Sequence, residues 1–211
     1  MARIRNALFD LHHRAVHLPR VRRVVDALAD QLGPVGSLLD VGCGDGTIAR
    51  DLAARVGATR VTGVDVLVRP HVAIDVKAYD GEHLPFDDGE LEAVVLADVL
   101  HHCASPLHVL REALRVASRV VVVKDHFRLG AVSDRLLWLM DVVGNAASGV
   151  YVRGSYLSPV EWVALIDDAS GRLTALSWPL VIHDLPMRLV TRSELQFAAR
   201  IEHASSAREP S

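Results

Sequence analysis

Three carboxylates and one glycine-rich turn are the residues of this chain whose spacing points to chemistry. Asp40, Asp65 and Asp80 each close an apolar run of strand character, and Asp40 leads straight into Gly42-Cys43-Gly44-Asp45-Gly46. Glycines between a strand and a helix let a ligand approach the backbone, and the helix beyond them offers unpaired N–H groups and a positive dipole end. A carboxylate beside that turn would repel a pyrophosphate but would accept hydrogen bonds from an ammonium, so the corner suits a zwitterion. Asp65 stands about twenty residues past the glycines, where doubly wound sheets place an acid against ribose hydroxyls. Asp80 can accept from an exocyclic amine, and the Gly81 N–H can bond a ring nitrogen. Together these groups span a nucleoside.

Histidines supply the second constellation. His101 and His102 follow the fourth apolar run and His126 the fifth, and an imidazole near its ordinary pKa of about 6.5 is poised to take a proton at neutral pH. His126 is the better candidate base and His101 the second, while His102 is read as shaping the loop or touching substrate. Asp98, Lys124 and Asp125 are read as structural or substrate-orienting. His12, His13 and His17 cluster near the start, but no third ligand follows at a useful interval, so no metal is expected.

These side chains require a set of elements to hold them. Leu38–Val41, Arg60–Asp65, Val76–Tyr79, Leu91–Ala97 and Arg119–Lys124 read as strands, with helices after the first, fourth and later runs. Ser105-Pro106 and Ser158-Pro159-Val160-Glu161 are helix starts, the second with the residues of a capping box. From Val66 to Lys77 there is no helical period and Pro70 interrupts, so that crossover reads as short and irregular. Five alternations predict a parallel α/β sheet with a crevice at its carboxyl edge.

The chain has 211 residues, half of them hydrophobic, which is enough for one substantial core. A net charge of −3 and a pI near 6.4 give no reason to expect nucleic-acid binding. Two cysteines, Cys43 and Cys103, without metal spacing fit a reducing, cytoplasmic compartment. No apolar run approaches the roughly 20 residues of a membrane span. Residues 1–35 read as an N-terminal helical cover. Its basic leading segment is compatible with peripheral contact to an anionic membrane or with a removable transit peptide, although the pattern favours a retained helix.

Leu38–Gly46, Val64-Asp65, Asp80–Phe86, Leu96–His102 and Val109–Val116 resemble, in order, the motifs of class I S-adenosylmethionine-dependent methyltransferases. The nearest likeness is to the small-molecule group that includes the ubiquinone and menaquinone biosynthesis enzymes. The resemblance implies a Rossmann-like, seven-stranded, mostly parallel sheet with helices on both faces and an antiparallel C-terminal hairpin, over residues 36–202. It implies S-adenosylmethionine as cofactor and S-adenosylhomocysteine as product, with Asp40, Gly42, Cys43 and Gly44 around the methionine part. Asp65 would then hold the ribose, Val66 would pack on adenine, Asp80 and Gly81 would read the adenine edge, and the Ala97 backbone would meet the cofactor. The shortened crossover after Asp65 departs from the family pattern.

Residues 127–158 read as a lid-like insertion on the substrate side, with Trp138, Met140 and Tyr151 lining an apolar acceptor site and Asp141 and Asn145 offering polar contacts. A plain core helix is the alternative there. The runs Leu173–Ile182 and Leu195–Ile201 complete the sheet, and 203–211 is a polar tail. The expected activity is methyl transfer to a small, apolar or lipid-like acceptor, whose atom and identity the sequence leaves open, as it does the oligomeric state. Two other classes stand beside it: a cofactor-binding partner or scaffold protein, and a nicotinamide-dependent oxidoreductase, which would want Gly-x-Gly-x-x-Gly and no Asp40.

Overall fold

A computed structural model describes residues 18–145, 153–185 and 187–204, with the side chain of Asn145 outside that set. The described residues begin with α1, Leu18–Leu32, and run through β1 (Ser37–Val41), α2 (Thr47–Val56), β2 (Arg60–Asp65), β3 (Asp75–Ala78) and β4 (Leu91–Ala97). They continue through α3 (Pro106–Val116), β5 (Ala117–His126), α4 (Ala131–Asn145), α5 (Pro159–Asp168), β6 (Gly171–Ser177), α6 (Met187–Thr191) and β7 (Gln196–His203). Sheet order is β3-β2-β1-β4-β5-β7-β6. All neighbours pair in parallel except β7, which is antiparallel to both β5 and β6. The order reverses between β1 and β4, and the crevice of such a sheet lies at that point, outside the carboxyl ends.

Alternation along the strands distributes the core to two faces. Leu38, Ala93, Val95, Val120 and Val122 pack on the α1–α2 side, whereas Leu39, Val94, Leu96, Val121 and Val123 pack on the α3–α5 side. Strand segments covered on both faces must be apolar throughout, and that is why β4 carries the unbroken run Ala93–Ala97 and β5 the run Val120–Val123. Helix α1 turns Val21, Val24, Val25, Leu28 and Leu32 inward, each such side chain contributing about 1.5–3 kcal/mol when fully buried.

Four sequence expectations need correction. Strand β5 runs to His126 because Asp125 and His126 pair antiparallel with Phe197 and Gln196, so His126 is a strand residue and not part of a following loop. Strand β6 stops at Ser177, before Trp178-Pro179, since proline has no N–H to continue a ladder. His203 is the last residue of β7, opposite Gly171, so the polar tail starts after it. Strand β3 is shifted one residue earlier than expected, and no helix separates it from β2.

Candidate functional site

The glycine turn is built from strand ends. Gly42 and Cys43 both donate their N–H to the Val64 carbonyl of β2, at 2.8 and 3.1 Å. Gly42 has φ +70°, and a Cβ there would come within 2.7 Å of Val99 Cγ2, so its bare face is filled by protein. Gly44, at φ +59°, has room: the nearest group to a Cβ would be the Arg69 guanidinium at 3.7 Å. Helix α2 begins immediately after Gly46, with the Thr47 N–H bonded to Asp45 Oδ1 at 3.0 Å.

Asp40 is only 4 % exposed. Burial, and then the negative charge of Asp65, push its carboxyl up to about 7, so a cationic ligand beside it would restore its charge. Cys43 is buried against Gly63; burial first, then Asp40 and Asp65, push its thiol up to about 12, which leaves it inert as a nucleophile.

Asp65 braces the turn as well as bordering it. Its Oδ2 accepts the Gly44 N–H at 2.8 Å and its Oδ1 the Leu67 N–H at 2.9 Å, and spare lone pairs remain for hydroxyl donors. Val66 stands exposed with Cγ1 3.3 Å from the Cβ position of Gly81, forming an apolar ledge. Asp80 Oδ1 accepts the N–H groups of Glu82 and His83 at 2.8 and 2.7 Å, bonds that lower its pKa. The loop beyond is pinned by Glu112, which accepts the Leu84 N–H at 3.0 Å, and by Arg115, which donates to the Leu84 and Phe86 carbonyls at 3.1 and 2.9 Å. Ala97 closes β4 next to Asp98, whose φ of +60° is rare for a residue with a side chain.

At the ends of β4 and β5 the histidines form a cluster. His101 is 3 % exposed; its Nδ1 lies 2.7 Å from Asp125 Oδ1 and its Nε2 3.6 Å from Asp141 Oδ2. Burial opposes its charge, but Asp125 and Asp141 outweigh burial and raise it to about 10. His102 Nε2 stands 3.5 Å from Asp141 Oδ1. His126 Nδ1 lies 3.4 Å from Asp125 Oδ1 and 3.6 Å from Asp98 Oδ1. Burial first, then the charge of His101 on His102 and of Lys124 on His126, lower both and keep them neutral.

Below them the fully buried Lys124 Nζ contacts Asp98 Oδ1 at 2.5 Å and Gln196 Oε1 at 2.6 Å. Burial raises the Asp98 carboxyl, but Lys124, His126 and Arg20 more than offset this and hold it well below the usual range.

Among the candidates named from sequence, the structure thus brings Asp40, Cys43, Gly44, Asp65, Val66 and Gly81 together at the carboxyl ends of β1, β2 and β3, and groups His101, His102, His126 and Asp141 at the ends of β4 and β5. Trp138 is half-exposed on α4, with Cδ1 3.0 Å from the Cβ position of Gly154. Tyr151 and the Asn145 side chain lie outside the described residues. Sequence reasoning missed Tyr156, whose ring stacks on His101 at 5.2 Å and whose hydroxyl donates to Asp141 at 3.1 Å. It also missed Arg20, Arg69 and Gln196. Nothing in the local pattern around these four distinguishes them.

Residues 39–120 match the family described as a methyltransferase domain. The ubiquinone biosynthesis O-methyltransferase of Escherichia coli is 28 % identical over 151 residues, which are 63 % of this chain and 61 % of that protein. The chain spans less than two thirds of the curated relatives it matches. Among solved structures, a chain of the complex between the Haloferax volcanii Trm112 methyltransferase activator and a methyltransferase superposes with TM-score 0.68 at 16 % identity, over 92 % of each chain. Geranyl diphosphate C-methyltransferase from Streptomyces coelicolor, solved with S-adenosylhomocysteine, gives TM-score 0.64 at 16 % identity over 85 % of this chain and 76 % of that one.

The sheet order, the glycine turn and its carboxylates resemble those of class I S-adenosylmethionine-dependent methyltransferases. The matched stretch, residues 39–120, is similar to such a domain, and S-adenosylmethionine is the cofactor of the class. The residues present fit that molecule: a buried carboxylate that a cation would relieve, an open glycine, a second acid with lone pairs left for hydroxyl donors and an apolar ledge. Among the described residues no helix is long and apolar enough to cross a membrane.

Proposed function

We propose that the protein transfers a methyl group from S-adenosylmethionine to a small acceptor by in-line displacement. The reading rests on one observation above all: Asp40, buried next to last in β1 and ahead of a turn whose Gly44 has room for a ligand, lies toward the same carboxyl edge of the sheet as the neutral imidazoles of His102 and His126. The bound cofactor supplies an activated methyl on a sulfonium. The chain then has to hold the two reactants aligned at about 3–3.5 Å and keep water away.

Asp40 holds the cationic amino-acid end, Asp65 the ribose, and Val66, Asp80 and Gly81 the adenine, with the Ala97 backbone at its flank. His126 is the proposed base for an acceptor that must lose a proton. Its Nδ1 is turned toward Asp98 and Asp125, which leaves Nε2 for the acceptor. His101, clamped between Asp125 and Asp141, orients the site. Trp138 and Met140 on α4 give the acceptor an apolar wall, as a partly apolar or lipid-like molecule would need.

Two measurements test the reading. Calorimetry with S-adenosylhomocysteine should show stoichiometric binding that Asp40→Ala abolishes, and label from methyl-labelled cofactor should pass to a metabolite extract. A protein with no affinity for either form of the cofactor would overturn the proposal, and binding without any label transfer would leave a cofactor-binding partner protein as the correct reading.

A further inference from the structure

We propose that His101 Nε2, His102 Nε2 and the Asp141 carboxylate form a site for one divalent transition-metal cation of the zinc type. One potential ligand atom from each of the three residues lies within 4.8 Å of the other two. His101 Nε2 and His102 Nε2 stand 3.6 and 3.5 Å from separate oxygens of Asp141. Ligands bound at about 2.0–2.2 Å in a tetrahedron sit about 3.4 Å apart, so each imidazole already stands at about a ligand-to-ligand distance from one oxygen of the Asp141 carboxylate, and a small turn of that carboxylate brings a single oxygen to both.

The surroundings match what such a site needs. A metal-bound histidine is held by a carboxylate on its other nitrogen, and His101 Nδ1 has Asp125 Oδ1 at 2.7 Å. That bond fixes the ring with Nε2 toward Asp141, and a cation there takes the place of the Nε2 proton. Tyr156 donates its hydroxyl to Asp141 Oδ2 at 3.1 Å and stacks on His101, so the carboxylate and one imidazole are both supported. The neighbouring set of His101, Asp125 and His126 also lies close together. Its shortest edge is the 2.7 Å hydrogen bond, which is the second-layer contact of the proposed site and too short to be an edge between two ligands.

Two imidazoles and one carboxylate select a borderline cation such as zinc, cobalt or iron(II), and not magnesium or calcium, which take oxygen ligands. Three protein ligands leave a coordination position open. The ligands come from the turn after β4 and from α4, so the ion would tie α4 to the sheet edge beside the crevice.

The role of the ion rests on the methyl-transfer reading, whereas its binding does not. An acceptor hydroxyl on the open position would lose its proton more readily, and the proton passes to His126 or solvent. The oxygen lone pair forms the new O–C bond, the C–S bond breaks, and sulfur keeps that electron pair.

The test uses the full chain, stripped with a chelator and titrated with cobalt(II) and zinc(II). Visible absorption of the cobalt form and calorimetry with zinc are the readouts, and S-adenosylhomocysteine affinity is measured in parallel. The expected result is one equivalent bound and a tetrahedral cobalt spectrum. His102→Ala and Asp141→Asn should weaken binding by on the order of 100-fold, beyond most losses caused by removing a second-layer partner. Replacing His12, His13 and His17 by alanine should leave binding intact. No stoichiometric binding, or binding lost with His12, His13 and His17 and kept without His102, would overturn the site. Retained S-adenosylhomocysteine affinity in those cases would show that the metal proposal had failed and the cofactor site had not.

Discussion

The Arg20 guanidinium meets the Asp98 carboxylate at 2.8 Å, joining the N-terminal helix to the residue that follows β4. The same carboxylate holds the buried Lys124, so one acid at the sheet edge carries two cations of unequal exposure. Arg20 is 28 % exposed in its side chain and Lys124 is 0 % exposed. Solvent screens the first pair and not the second. Arg20→Ala should therefore cost about 1 kcal/mol or less in urea unfolding. Asp98→Asn, which strands a buried ammonium, should cost about 3–5 kcal/mol. Equal losses from the two substitutions would contradict this account.

Gly63 in β2 faces Cys43 across the floor of the turn. A Cβ at Gly63 would lie 2.4 Å from Cys43 Sγ and 2.9 Å from its Cβ. Gly63→Ala should destabilise the protein by about 1–3 kcal/mol through overpacking. Cys43→Ala in the same chain should return part of that loss, because the sulfur is the nearest obstacle. A double-mutant cycle in thermal or denaturant unfolding measures the coupling, and strict additivity would show that the two positions do not compete for space.

The parts of the fold that were legible in sequence are those set by neighbours in the chain. Strands β2 and β4 and the start of α3 and α5 follow from apolar runs bounded by Gly, Pro and Ser, and the glycine turn identifies its own strand-to-helix corner. What was not legible depends on pairing at a distance. Nothing near His126 reveals that β7 will pair beside it and extend β5 by two residues. The cluster of His101, Asp125, Asp141 and Tyr156 draws on four separate elements or turns, and only the adjacent ends of β4 and β5, with α4 folded back, bring them together. The apolarity of α4 was visible, but its exposure at Val132, Leu139 and Val143 was not, since hydropathy does not say which side finds a neighbour.

Helix α5 offers a local check. Ser158 caps it, accepting the Glu161 N–H at 3.4 Å, while Glu161 Oε2 accepts the Ser158 N–H at 2.7 Å. Ser158→Ala should cost about 1 kcal/mol, as loss of an N-cap side chain generally does. Glu161 also pairs with Arg128 at 2.7 Å, so the substitution should loosen the entry to α4 as well. Faster amide exchange at residues 128–131 in the variant is the expected sign. Exchange altered only within α5 would confine the cap's effect to its own helix.

Asp40 gives the pH dependence its sign. Its carboxyl is raised from 3.8 to about 7 in the folded protein, by burial and by Asp65. Between those values the unfolded chain has lost the proton and the native state still holds it, so stability contributed by this group falls as pH rises from about 4 to about 7. Asp40→Asn should remove that slope and leave the protein at least as stable at neutral pH. Ligand binding runs the other way. The positive charge of the cofactor favours ionised Asp40, so affinity for S-adenosylmethionine should drop as pH falls below about 7, with proton release on binding under acidic conditions. Calorimetry in buffers of different ionisation enthalpy measures that release. The Asp40→Asn variant should bind weakly at every pH with no release from this position. An affinity that is flat through neutrality in the unaltered protein would mean that Asp40 is already charged before the ligand arrives.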